Sequence, residues 1–99
     1  MNIMKKDTKI VVIKNFSTSA LTSWGKPYTG SEECVIPKGT ILVVQNDQLP
    51  NTRGFGVRPE KYKELEKEFI PEKTLKDKDY GGYYFVFLND DFGKYFEMV

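Results

Sequence analysis

The apolar residues of this chain fall into short runs of β-branched and aromatic side chains: Ile10-Val11-Val12-Ile13, Ile41-Leu42-Val43-Val44 and Tyr83-Tyr84-Phe85-Val86-Phe87-Leu88. Each has the length of a strand, and Gly, Pro, Asn and Asp clusters punctuate the chain between them. Such runs are buried most simply as the strands of a small sheet. Alanine, the strongest helix former, occurs once, at Ala20, which moves the balance further from helix.

In chain order, residues 9–16 read as a first strand. Residues 17–32 contain both Gly and Pro and follow neither the helical nor the strand period. Loops of this length in small domains are ordinarily functional or disordered, and Trp24 with Tyr28 points to an ordered one. Residues 33–36, the turn Pro37-Lys38-Gly39 and residues 40–45 make a strand, a tight turn and a second strand. The continuous apolar run from Ile41 to Val44 predicts a central strand covered on both faces. Gly54-Phe55-Gly56-Val57-Arg58 reads as a short bent strand whose glycines mark a bulge or a close backbone approach.

Residues 59–69 form the one convincing helix, with Pro59 at its first position, Glu60 in the first turn and Pro71 as the stop. Tyr62, Leu65 and Phe69 make a narrow apolar stripe that must dock on the sheet. Residues 72–80 read as an exposed charged connection, and residues 83–88 as the most strand-like segment. Asn89-Asp90-Asp91-Phe92-Gly93 reads as a hairpin loop that returns the chain along residues 94–99. The expected fold is therefore mainly β (α+β), a single domain over residues 1–99. It would be a small, strongly bent antiparallel sheet or a partly open SH3-like barrel of five to six strands with one short helix (59–69). The likeness to SH3-like barrels is one of architecture and carries no function.

Composition restricts the chemistry. There is no histidine and one cysteine, Cys34, which stands beside Glu33. A nucleophilic serine or cysteine would lack its usual base, and a neighbouring carboxylate disfavours the Cys34 thiolate. Carboxylate chemistry stays formally open through Glu32, Glu33, Asp77, Asp79, Asp90 and Asp91, but adjacent residues such as Asp90 and Asp91 point in different directions in a strand or turn. The chain is expected not to be an enzyme. Only oxygen donors are on offer for a metal, residues 89–93 do not follow the calcium-loop alternation, and no metal or cofactor is expected. Residues 25–31 carry two glycines at phosphate-loop spacing, but Ser31 stands where the lysine belongs, and Gly54-Phe55-Gly56 lacks the third glycine of a dinucleotide loop. Among the first fourteen residues the longest apolar run, Ile10 to Ile13, is too short for a signal peptide or a membrane span. With a lone cysteine, this predicts a cytoplasmic protein without membrane contact.

What remains is a set of aromatic and cationic residues: Trp24, Lys26 and Tyr28 in the long loop, and Arg53, Phe55, Arg58 and Tyr62 around the bent strand and helix start. Arginine pairs bidentately with anions, aromatic rings stack on bases or partner side chains, and interfaces are enriched in Trp, Tyr and Arg. These seven are the candidate binding residues, although Phe55 and Tyr62 also have an ordinary reading as core. The formal net charge of +1 does not supply the counterion release on which nucleic-acid binders depend, so a protein partner is favoured. The alternative is a phosphate-bearing ligand, a nucleotide or single-stranded nucleic acid, gripped by Arg53, Arg58 and Lys26 while Trp24 or Tyr28 stacks on a base. Small size and an AT-rich coding bias fit an accessory or inhibitor protein of a phage or mobile element that acts on a host protein. A terminal strand at residues 95–99 on a sheet edge could pair with a second copy of the chain.

Overall fold

The strands alternate inward and outward side chains, and this alternation builds the molecule. The computed structural model describes residues 3–99. Its elements are β1 (Lys9–Val12), β2 (Phe16–Thr18), β3 (Cys34–Ile36), β4 (Ile41–Val44), β5 (Gly54–Pro59), α1 (Tyr62–Phe69), α2 (Glu72–Leu75), β6 (Phe85–Leu88) and β7 (Phe96–Met98). Five strands form one antiparallel sheet in the order β6-β5-β4-β1-β7, and β2 pairs with β3 in a separate two-stranded sheet. The five-stranded sheet curls into a half-barrel, so the fold is mainly β as expected, with seven short strands in place of five or six. None of the described helices is long and apolar enough to cross a membrane.

Ile10 and Val12 of β1, Leu42 and Val44 of β4, and Phe55 and Val57 of β5 point into the concave side with Phe85, Phe87 and Phe96, all of them buried. Phe87 and Phe96 sit on the two outermost strands, yet their ring centroids lie 5.7 Å apart at 74°, an edge-to-face contact. Phe96 meets Phe55 edge-on as well, at 5.6 Å. Phe16 of β2 lies 4.4 Å from Phe87 and 4.9 Å from Tyr95, so the small sheet covers the seam where the curled sheet's ends approach.

Several local expectations are corrected. The first strand ends at Val12, and the chain turns a corner at residues 13–15 before β2; Asn15 holds that corner by accepting the Lys38 N–H on its side-chain oxygen at 2.8 Å. The helix begins at Tyr62 and not at Pro59. Pro59 is the buried last residue of β5, opposite Leu42, and the Glu60 N–H extends the ladder to the Ile41 carbonyl at 2.9 Å. Residues 89–93 do not close a hairpin. The partner of β6 is β5 and that of β7 is β1, and residues 89–91 form a 3-10 turn that redirects the chain across the end of the half-barrel. The connection after the helix contains the one-turn α2, and β4 is central as expected but has Ile41 and Val43 only half covered on its outer face. The edge strand β7 is partly capped, because the turn before it folds back and Gly93 N–H donates to the Phe96 carbonyl at 2.8 Å.

Tyrosines fasten α1 to the sheet. Tyr62 and Tyr83 stack at 4.5 Å and 13°; the Tyr83 N–H donates to the Tyr62 hydroxyl and the Tyr83 hydroxyl donates to the Tyr62 carbonyl, each at 2.9 Å. The Tyr80 hydroxyl donates to Glu66 at 2.7 Å, and the Tyr28 hydroxyl to the Gly82 carbonyl at 2.5 Å. Burial is the main reason that all three hydroxyls, Tyr28, Tyr80 and Tyr83, ionise less readily than an ordinary tyrosine, with Glu66 adding to the effect at Tyr80.

Two outcomes follow. Phe96→Ala removes the ring on which Phe55 and Phe87 both pack and should cost about 3–5 kcal/mol by urea unfolding, a large share of the ~5–15 kcal/mol typical of such a domain. Because the folded state holds these tyrosines protonated, their contribution is intact below the unfolded value near 10 and is lost as pH rises past it. The urea midpoint should therefore stay level up to about pH 8, drift down slightly around pH 9 as the unfolded Cys34 thiol ionises, and fall steeply above about pH 10, with Tyr83 alone contributing up to ~1.4 kcal/mol per pH unit.

Candidate functional site

Since Phe55, Val57 and Pro59 of β5 face inward, Gly54, Gly56 and Arg58 face outward. The strand keeps an unbroken register with β6 from Gly54↔Leu88 to Val57↔Phe85, so the glycines mark no bulge. Neither has a positive φ. A Cβ on Gly56 would meet Tyr84 at 3.5 Å, an ordinary contact, whereas one on Gly54 would press on Val86 at 3.1 Å. The glycines thus leave a strip of sheet without side chains, the floor of an open groove of about 570 Å³ bordered by Ser23, Gln45, Thr52, Arg58, Tyr84 and Val86.

The long loop reaches the same groove. Its root is a short ladder, with Ala20 N–H donating to the Ser31 carbonyl at 3.0 Å and Tyr28 N–H to the Ala20 carbonyl at 3.1 Å. Leu21 bridges Pro27 and also donates its N–H to the Tyr84 carbonyl at 2.9 Å, which seats the hairpin beside β6. At the tip Thr22 N–H donates to the Lys26 carbonyl at 2.8 Å, while the Thr22 hydroxyl accepts the N–H groups of Trp24 and Lys26, each at 3.2 Å. Gly25 has φ 79°, a conformation few other residues adopt without strain. The Ser31 hydroxyl, fully buried, donates to the Phe69 carbonyl at 2.7 Å and locks the hairpin's base to α1. This ordered turn presents Trp24 with 88% of its surface exposed.

Arg58 stands at the other end of the strip, and a proline fixes it. Continuing the β5–β6 register two residues beyond Val57↔Phe85 brings Pro59 opposite Tyr83, and proline has no N–H for the Tyr83 carbonyl. The Arg58 Nε donates to that carbonyl instead, at 3.0 Å, with the guanidinium carbon 4.8 Å from the centre of the Tyr62 ring. The ion pairs among the described residues are Lys9–Glu60 and Lys76–Glu72, so Arg58 has no carboxylate partner there. On its far side lies a second groove of about 490 Å³, bordered by Asp7, Val43 and Tyr62.

Of the seven candidate residues, Trp24 and Lys26 lie on the hairpin, Arg53 is exposed at the start of β5, and Arg58 borders the groove that adjoins the hairpin through Ser23. Phe55 does not contribute a surface: alternation along β5 turns it inward, 4% exposed and packed on Phe96. Tyr62 is the half-buried platform under Arg58, and Tyr28 anchors the loop with its ring 5.5 Å from Tyr80. Tyr84 and Gln45 were not singled out in the sequence, although outward-facing positions follow from the alternation that places Gly54 and Gly56. Among the described residues no three Cys, His, Asp or Glu side chains converge as a metal site requires. The buried Cys34 thiol faces the Ser31 and Phe69 carbonyls at 3.5 and 3.6 Å, and burial raises its pKa, so it is held as a thiol.

Gly56→Ala should leave stability unchanged or raise it by up to about 1 kcal/mol, since glycine in a strand is costly and this one is not needed for backbone or clearance. Gly25→Ala should lower it by about 1 kcal/mol through the left-handed conformation. Urea unfolding of the two variants checks both signs. Compared with known proteins, the chain is matched by no family model, no curated protein and no solved structure.

Proposed function

We propose that the chain is a non-enzymatic binding module that docks a protein partner on the face shared by the Trp24 hairpin and the outer side of β5. The observation that carries this reading is the exposure of Trp24 on a turn braced by hydrogen bonds from Thr22 to Lys26, from Gly25 to Thr22 and from Trp24 and Lys26 to the Thr22 hydroxyl. A free loop tip does not need such bracing, and an exposed tryptophan contributes nothing to the core. Tryptophan and arginine beside a groove are the residues on which protein interfaces concentrate their binding energy. An accessory or inhibitor role toward a host protein, as in a phage or mobile element, is consistent with this reading and rests on size and composition alone. The alternative, a phosphate-bearing ligand, draws on the same Arg58, Arg53 and Lys26, and the chain's net charge of +1 supplies little of the counterion release on which such binding depends.

Affinity capture with tagged wild-type chain and the Trp24→Ala, Arg53→Ala double variant tests the proposal. The double variant should melt like wild type, because both side chains are exposed, and should lose the captured partner by about tenfold or more, as expected when a central tryptophan is truncated. Equal capture by a folded double variant would place the surface elsewhere.

A further inference from the structure

Gly56 is not required by the backbone or by clearance, and Arg58, whose Nε satisfies the Tyr83 carbonyl, keeps the outer edge of its guanidinium without an acidic partner among the described residues. The Arg58 side chain is restrained by the Tyr83 carbonyl and the Tyr62 ring, which occupy its Nε and one face of its guanidinium. Its Nη donors have no acidic partner among the described residues. A guanidinium held in place without an anion is organised in advance for one, and the planar fork suits a carboxylate. Gly56 brings the sheet's backbone to the surface beside it, at a position where alanine would fit without strain. Among the described residues, Arg58 is the one charged residue bordering that groove.

We infer that the groove receives an extended acidic segment of a protein, its chain lying along the Gly54–Gly56 strip and one Asp or Glu carboxylate paired with the Arg58 guanidinium. The inference rests on the docking face proposed above and specifies the chemistry of what docks there. A single fixed cation with Asp7 bordering the groove on its other side suits one carboxylate better than a run of phosphates, which requires several cations in a row. Space decides the other half of the recognition: a residue larger than alanine at position 56 occupies the floor on which the segment lies.

The test pans random displayed peptides on the full chain, then measures synthetic copies of the enriched sequences against wild type, Arg58→Gln, Gly56→Leu and Gly56→Ala, each with its melting curve. Enriched peptides should share one Asp or Glu. Arg58→Gln, or Glu→Gln and Asp→Asn in the peptide, should weaken binding by about tenfold to hundredfold, the usual range for a charge-assisted pair. Gly56→Leu should abolish binding while melting like wild type. An acid-free consensus, absence of enrichment, or affinity unchanged in a folded Arg58→Gln or Gly56→Leu variant overturns the inference, as does tighter binding of oligothymidylate than of any acidic peptide. If Arg58 proves dispensable while partner capture still depends on Trp24, the carboxylate reading falls and the docking face stands.

Discussion

Phe87 and Phe96 belong to strands at opposite ends of a five-stranded sheet, and their rings touch. That contact cannot form in a flat sheet, so it and the curl are one fact. Phe55 fills the space beneath Phe96, and Phe16 lies over Phe87 from the second sheet. Each large aromatic buried this way contributes on the order of 2–3 kcal/mol from apolar area, before the edge-to-face preference is counted. With the phenylalanines closing the concave side, the core does not need the outward positions of β5, and it is on that convex side that Gly54, Gly56 and Arg58 lie.

The parts of this arrangement that were legible in the sequence are those governed by period and local chemistry. The runs at Ile41 to Val44 and Phe85 to Leu88 became strands because β-branched and aromatic residues fit a pleated, half-buried surface. Pro37-Lys38-Gly39 became the turn its residues dictate, with Gly39 at φ 95°. The misreadings at Pro59 and at residues 89–93 share a cause: both positions were assigned by their nearest neighbours, and both are set by partners far along the chain. Pro59 answers to Leu42 in the ladder, and residues 89–91 redirect β7 toward β1, whose first residue is eighty positions earlier than Asn89. Long-range register leaves no mark in a window of a dozen residues. Among the site residues, Trp24 stood out because nothing periodic surrounded it, whereas Tyr84 was hidden inside the most strand-like run of the chain.

Arg58 shows how a backbone deficit becomes a side-chain position. Proline at 59 ends the β5–β6 pairing by withholding an N–H, and the Tyr83 carbonyl and N–H are taken up by the Arg58 and Tyr62 side chains instead. The same stacked tyrosine pair that ties α1 to the sheet therefore supports the guanidinium. Flexible cations on a surface lose rotamer freedom when they pair; this one has already lost much of it in folding.

Two features of the convex face run against stability. Trp24 leaves a large apolar ring in water, and Gly56 weakens a strand that would accept alanine. A loop tip can carry a solvated polar residue at no cost, and an outward strand position can carry threonine or valine with gain. Either departure alone is ordinary in a natural protein. Here Gly56 forms the floor of a groove that Ser23, next to Trp24 in the hairpin, and Arg58 both border, and neither the exposed Trp24 ring nor the missing side chain at Gly56 adds to the stability of the fold. Departures from local consistency are commonest at functional surfaces, and it is on two of them, Trp24 and Gly56, on elements that Ser23 connects, that the proposed docking face rests.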